Sequence, residues 1–222
     1  MTEADRKSFN YEEGQFICHI FATISDEEKL VIDEVTRHVL EQQGISKDSR
    51  SHQGWTSLEE DNPVKEKPSL HITLLRGHRA IYYHQIKSLV DALVLECKSI
   101  APFCLCLDDL RVFHNFEKTR QFLCLSSREN IPPQLKQLKL KVRQRIDQFA
   151  TKLTSEDETD DTLPHCSFMS RVEEVCDDKK LVEDLNNLYS DEPQDYPLCI
   201  VRIERIFVKI GKCIYNISLA DC

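Results

Sequence analysis

The chain has 222 residues, 41% hydrophobic and 30% charged, enough apolar material for one large domain or two lobes on a shared core. Its net charge of −9 argues against a protein that grips long nucleic acid along the backbone, which needs a broad basic face, but leaves open an enzyme that holds only the end of a strand. No apolar run approaches a membrane span, and residues 1–8 are charged with no apolar centre, so neither a membrane partner nor a secretory leader is expected, and the protein is placed inside the cell.

In chain order, residues 1–14 are a short polar lead, and 15–222 are expected to form a single domain. Residues 15–23 alternate and are rich in Phe and Ile, which predicts a strand. Ser25 followed three residues on by Glu28 is a capping box that opens a helix running to about Gln43, ahead of Gly44. Residues 45–67 are polar without a sustained period and read as a long surface loop. A strand is predicted over 69–75 and a helix over 79–98. Residues 103–113 and 119–127 then form a hairpin, and Pro132-Pro133 opens a helix over 132–153. An acidic loop from Glu156 to Asp161 leads into a strand over 163–169, a helix over 177–189, and a hairpin of 198–210 with 213–219 turning near Gly211.

That order is strand, helix, strand, helix, hairpin, and then helix, strand, helix, hairpin. The second half repeats the first. The hairpins rhyme as well: Leu107-Asp108-Asp109-Leu110-Arg111-Val112-Phe113 runs parallel to Ile203-Glu204-Arg205-Ile206-Phe207-Val208. A duplicated α+β unit implies two pseudo-symmetric lobes, each an antiparallel sheet flanked by helices, with a central cleft between them.

The cleft is where the chemistry is expected. Leu70-His71-Ile72-Thr73-Leu74 and Pro164-His165-Cys166-Ser167-Phe168 each carry a histidine, one residue, then a hydroxyl, on equivalent strands of the two halves. Side chains alternate along a strand, so His71 and Thr73 share a face, and so do His165 and Ser167. Imidazole exchanges protons near neutral pH, and hydroxyls donate to phosphate oxygens. Of the eight histidines, only these two fit the pattern. The pattern alone is short enough to arise by chance on two core strands; its recurrence at equivalent places favours acid/base work on a phosphodiester.

The remaining residues narrow the class. The ten cysteines mostly lie in apolar runs with no C-x-x-C, so they are read as reduced, buried side chains, and neither a zinc site nor any other metal or cofactor is expected. The basic cluster Lys136, Lys139, Lys141, Arg143 and Arg145 reads as a solvated helix face.

Paired His-x-Ser/Thr motifs in a duplicated α+β chain resemble the 2H phosphoesterase superfamily. Further segments resemble one branch of it, the U6 small nuclear RNA 3′-end phosphodiesterases. These are Arg6-Lys7-Ser8-Phe9, His71-Ile72-Thr73-Leu74 with Leu75-Arg76, Phe116-Glu117-Lys118-Thr119-Arg120-Gln121-Phe122, His165-Cys166-Ser167-Phe168, and Val208-Lys209-Ile210-Gly211. The resemblance implies a metal-independent 3′–5′ exonuclease that trims U6 RNA in the nucleus and leaves a 2′,3′-cyclic phosphate. It assigns His71 and His165 to acid/base catalysis and Thr73 and Ser167 to phosphate binding. Members often carry an aromatic residue a few positions before the second motif; here that stretch, Thr159 to Pro164, has none. Thr159, Leu163 and the hairpin-tip Phe116 are the candidates for contact with the terminal nucleotide. Monomer is the default. Other readings are a 2H cyclic phosphodiesterase acting on small nucleotides or tRNA-derived ends, and a non-catalytic RNA-end-binding module.

Overall fold

The structure, a computed structural model, describes residues 13–42, 56–58, 70–75, 79–115, 119–128, 131–152, 163–171, 183 and 199–220. Among the described residues, twelve strands and three α-helices follow in chain order: β1 Gln15–Thr23, α1 Asp26–Gln42, β2 Thr56–Ser57, β3 His71–Leu75, β4 Arg79–Tyr82, α2 Ile86–Cys97, β5 Phe103–Leu107, β6 Asp109–His114, β7 Gln121–Ser126, α3 Pro133–Phe149, β8 Thr151–Lys152, β9 His165–Arg171, β10 Cys199–Ile203, β11 Arg205–Ile210 and β12 Cys213–Ser218, with a 3-10 turn at Tyr83–Gln85 leading into α2.

Alternation organises the sheet. Along β1, Cys18, Ile20 and Ala22 are buried on one face, and His19, Phe21 and Thr23 take the other. β11 repeats this, with Ile206, Val208 and Ile210 buried and Arg205, Phe207 and Lys209 opposite. The apolar faces meet helices whose own apolar residues recur every three or four positions: Ile32 and Val35 of α1, Leu89, Leu93 and Cys97 of α2, Leu135, Leu138, Val142 and Ile146 of α3. Each such fully buried aliphatic side chain stabilises by roughly 1.5–3 kcal/mol.

The sheet order is β12-β11-β1-β3-β9-β7-β6, with β2 added to β9, β4 to β1 and β8 to β4. The two motif strands, β3 and β9, are antiparallel neighbours at its centre. Outward from them the order is mirrored: β1 and then β11 on one side, β7 and then β6 on the other. This strand order is what a duplicated unit related by a pseudo-twofold axis between β3 and β9 would give. The halves exchange parts. The first half's hairpin, β6–β7, joins the second motif strand, and the second half's, β11–β12, joins β1 beside the first.

Several boundaries differ from the sequence-based expectation. The strand predicted over 103–113 breaks at Asp108 and that over 198–210 at Glu204, two acids at matching places in the rhyming hairpins. The pieces upstream of each break, β5 and β10, leave the main sheet and pair with each other. The helix predicted over 79–98 begins only at Ile86, because residues 80–82 supply a strand partner for residues 15–17 of β1, which β3 does not reach. The helix predicted over 132–153 ends at Phe149, since 151–152 pair with β4. Within the predicted 45–67 loop, β2 extends the β9 ladder opposite Met169 and Ser170. The helix predicted over 177–189 lies outside the described residues, apart from helical residue 183.

The capping box forms as predicted: the Glu28 backbone donates to Ser25 Oγ at 3.2 Å, and the Ser25 backbone donates to Glu28 Oε2 at 2.6 Å. Gly211 turns β11 into β12 at φ +59, and a Cβ there would sit 2.7 Å from the Phe16 ring. Burial pushes the Cys18 and Cys97 thiols up to about 12, so both stay protonated and act as small apolar side chains.

Candidate active site

The β3–β9 register decides the site. Thr73 lies directly opposite His165 and Ile72 opposite Cys166, the two pairs of the β3–β9 ladder. His165 thus faces the other motif's hydroxyl, and alternation along the two strands puts all four side chains on one face of the sheet. Directly opposed residues have Cβ atoms about 4.5–5.5 Å apart, which sets Thr73 close beside His165. Ile72 and Cys166, one residue over on both strands, are fully buried on the core face, and burial raises the Cys166 thiol.

The next strands add a second pair of hydroxyl residues in the same mirrored way. Thr23 of β1 stands opposite His71, and Ser126 of β7 opposite His165. Ser126 Oγ donates to the Pro164 carbonyl at 3.2 Å, and the Ser127 backbone reaches that carbonyl at 3.4 Å. This anchors the residue before His165.

His165 is buried, and its Nδ1 donates to the Leu163 carbonyl at 2.8 Å. A proton held on Nδ1 by a carbonyl assigns proton exchange to Nε2 at the far corner of the ring. The Phe113 ring stacks on the imidazole at 4.4 Å and 24°. In the ladder Phe113 stands opposite Phe122, which faces Ser170, five residues along β9 from His165. Between these two positions the β7–β9 register shifts at Leu123/Cys124, a bulge of the kind that raises local twist.

His71 is held differently. Phe21, fully buried on β1, meets it edge-on at 5.3 Å and 74°, and His19 meets it edge-on at 5.7 Å and 89°. Phe21 is stacked in turn on Phe207 of β11 at 5.5 Å. Of the two motif hydroxyls, Ser167 Oγ lies 3.1 Å from the buried Cys124 Sγ, within hydrogen-bonding reach.

The candidates named from sequence fare unequally. His71, Thr73, His165 and Ser167 come together on one face. Leu163 is beside them, and its backbone carbonyl, through His165, is the part that acts on the site. Phe116 and Thr159 lie outside the described residues. Sequence reasoning missed His19, Phe21, Thr23, Phe113 and Ser126. Alternation in residues 18–23 already put His19, Phe21 and Thr23 on one face, but nothing in the sequence says that β1 lies beside β3.

The family described as "HVSL: Uncharacterised conserved protein" matches residues 3–218. The chain belongs to the HVSL family. No curated protein matches this HVSL chain in sequence. Among solved structures it is similar to Usb1 of Kluyveromyces marxianus, with 16% identity over 93% of this chain and 98% of that one and a TM-score of 0.58. The same protein with uridine monophosphate matches at 16% identity over 92% and 98%, TM-score 0.56. LigT of E. coli complexed with 3′-AMP matches at 13% identity over 92% and 95%, TM-score 0.52. At these identities the likeness is one of fold. The HVSL chain has the α+β architecture expected for a 2H phosphoesterase.

Proposed function

We propose that the protein is a metal-independent RNA phosphodiesterase that shortens RNA from its 3′ end, with His71 and His165 as the acid/base pair and Thr73 and Ser167 as the phosphate-binding hydroxyls. The observation that carries this reading is the β3–β9 register, which sets Thr73 across from His165 and leaves both imidazoles and both hydroxyls on one face. The HVSL family, and the Usb1 structure with bound uridine monophosphate, support it.

RNA brings its own nucleophile. One neutral imidazole takes the 2′-hydroxyl proton of the penultimate nucleotide. The 2′ oxygen attacks the adjacent phosphorus, the bond to the 5′ oxygen of the terminal nucleotide breaks, and the other imidazole, protonated, gives that oxygen its proton. The products are a 2′,3′-cyclic phosphate end and a free nucleoside. Each positioned proton transfer contributes roughly 10²–10⁴-fold. Thr73 and Ser167 donate to the non-bridging oxygens as their charge grows. After product release the two imidazoles hold each other's starting charge, and exchange with water resets them. The segments resembling the U6 branch support the U6 3′ end as substrate, in the nucleus; a monomer is the default.

The test is a 5′-labelled oligouridylate with a free 3′-diol, incubated in excess EDTA with wild-type protein, His71→Ala and His165→Ala. Stepwise shortening by the wild type is expected, with each variant slowed at least 10²-fold. A 2′-deoxy sugar at the penultimate position alone should block loss of the last nucleotide; its release at a normal rate overturns the mechanism. Opening of a nucleoside cyclic phosphate without shortening would favour a 2H cyclic phosphodiesterase acting on small nucleotides or tRNA-derived ends.

A further inference from the structure

The pseudo-twofold axis makes each side of the site a control for the other. In the rhyming hairpins, Asp109 and Arg111 of β6 correspond to Arg205 and Phe207 of β11. On the β6 side the cations are paired with an acid: Arg111 Nε donates to Asp109 Oδ2 at 2.7 Å, and Arg128 Nε lies 3.3 Å from Asp109 Oδ1. On the β11 side the acid is replaced by Arg205, and among the described residues neither Arg205 nor Lys209 makes an ion pair or hydrogen bond through its side chain.

Those two cations share a strand face with Phe207 between them. Lys209 pairs with His19, and Phe207 with Phe21, so this face is continuous with the one carrying His71 and Thr73. Arg205 is exposed, and Lys209, Phe207 and His19 are partly exposed. Residues 15–23 and 205–218, which make up β1, β11, β12 and the turn between the last two, hold no Asp or Glu in a chain of net charge −9. Glu204, next to Arg205 at the strand break, has its carboxylate held by Arg202 at 2.7 Å.

We propose that β11 is a track for single-stranded RNA upstream of the scissile phosphate, with Arg205 and Lys209 holding phosphates and Phe207 offering a stacking surface to a base between them. The inference rests on the RNA-end reading above, since only the 5′ side of a 3′-terminal cleavage site carries several phosphates. Four residues of strand put the two cations roughly 13 Å apart, about two nucleotides of an extended strand. Cation, aromatic, cation is the arrangement by which proteins follow single strands without reading sequence. The acid-rich remainder of the molecule repels RNA and leaves this face as the route out of the site.

The experiment uses a fluorescent octauridylate, 2′-O-methylated throughout and therefore uncleavable, with its dissociation constant measured by anisotropy across a salt series. The Arg205→Gln/Lys209→Gln double variant should bind about 10-fold more weakly. Its log–log salt slope should be shallower by about 1.4, since each phosphate contact on a single strand contributes about 0.7. Arg111→Gln, whose cation is already paired, should leave the slope in place. An unchanged slope in the double variant, an equal loss in Arg111→Gln, or no binding by the wild type each overturns the track. The probe reads binding alone. Binding through Arg205 and Lys209 in a protein that cuts no RNA would sink the phosphodiesterase reading and spare the track; cutting with an unaltered slope would do the reverse.

Discussion

His165 is held at three points: its Nδ1 by the Leu163 carbonyl, its ring face by Phe113, and its preceding residue by Ser126. The carbonyl sets the tautomer, and Phe113 restrains the ring plane. Phe113→Ala removes an aromatic pair worth about 0.5–1.5 kcal/mol and lets the imidazole tilt. We expect kcat on RNA to fall about 10-fold while KM moves little, with partial recovery in Phe113→Leu. Steady-state kinetics check this; an equal rise in KM with kcat intact would make Phe113 a substrate contact instead of a positioning residue. The four motif residues were legible in the sequence because a two-residue period is enough to put a histidine and a hydroxyl on one face. Phe113 was not legible, since it meets His165 only across strands far apart in the chain.

At the scale of elements, local signals did well where the chemistry is local. Ser25 and Glu28 satisfy backbone donors within three residues of each other, so the start of α1 could be read directly. Ser25→Ala should destabilise the protein by about 1 kcal/mol in urea unfolding without altering the denaturant slope; no change in midpoint would show that the cap is redundant. Local signals failed at β4 and at the breaks at Asp108 and Glu204. Residues 79–82 have no strong preference of their own and take strand geometry because β1 offers unpaired backbone. The breaks exist because β5 and β10 find each other, and each partner is about a hundred residues from the other in sequence.

At the scale of the molecule, α2 and α3 are joined across the fold by Glu96. Arg145 donates to it through two nitrogens, and Lys141 Nζ lies 3.5 Å away. The Arg145 side chain, followed by Lys141, holds the Glu96 carboxyl below its ordinary 4.5. A carboxylate whose folded value is depressed adds stability above the unfolded value, and that stability is lost as pH falls through the folded one. Glu96→Gln should therefore lower Tm at pH 7, and the gap from wild type should close as pH drops below about 4.5. Calorimetry at both ends of that range checks the sign; a gap that widened in acid would contradict it. The basic cluster on α3 is thus partly a structural joint, where its sequence suggested a solvated face.

What the sequence determined by itself was what short-range physics carries: alternation in the strands, the helix cap, the repeat of elements in two halves, and two histidines each two residues from a hydroxyl. The family resemblance in segments such as Val208-Lys209-Ile210-Gly211 added a chemistry to that pattern. What only the tertiary structure decided was pairing. The β3–β9 register, the exchange of hairpins between halves, Phe113 on His165, and the contrast between Asp109 and Arg205 about the axis all join residues far apart in the chain. Such contacts are selected by the summed burial and hydrogen bonding of a whole sheet, and no window of sequence contains them.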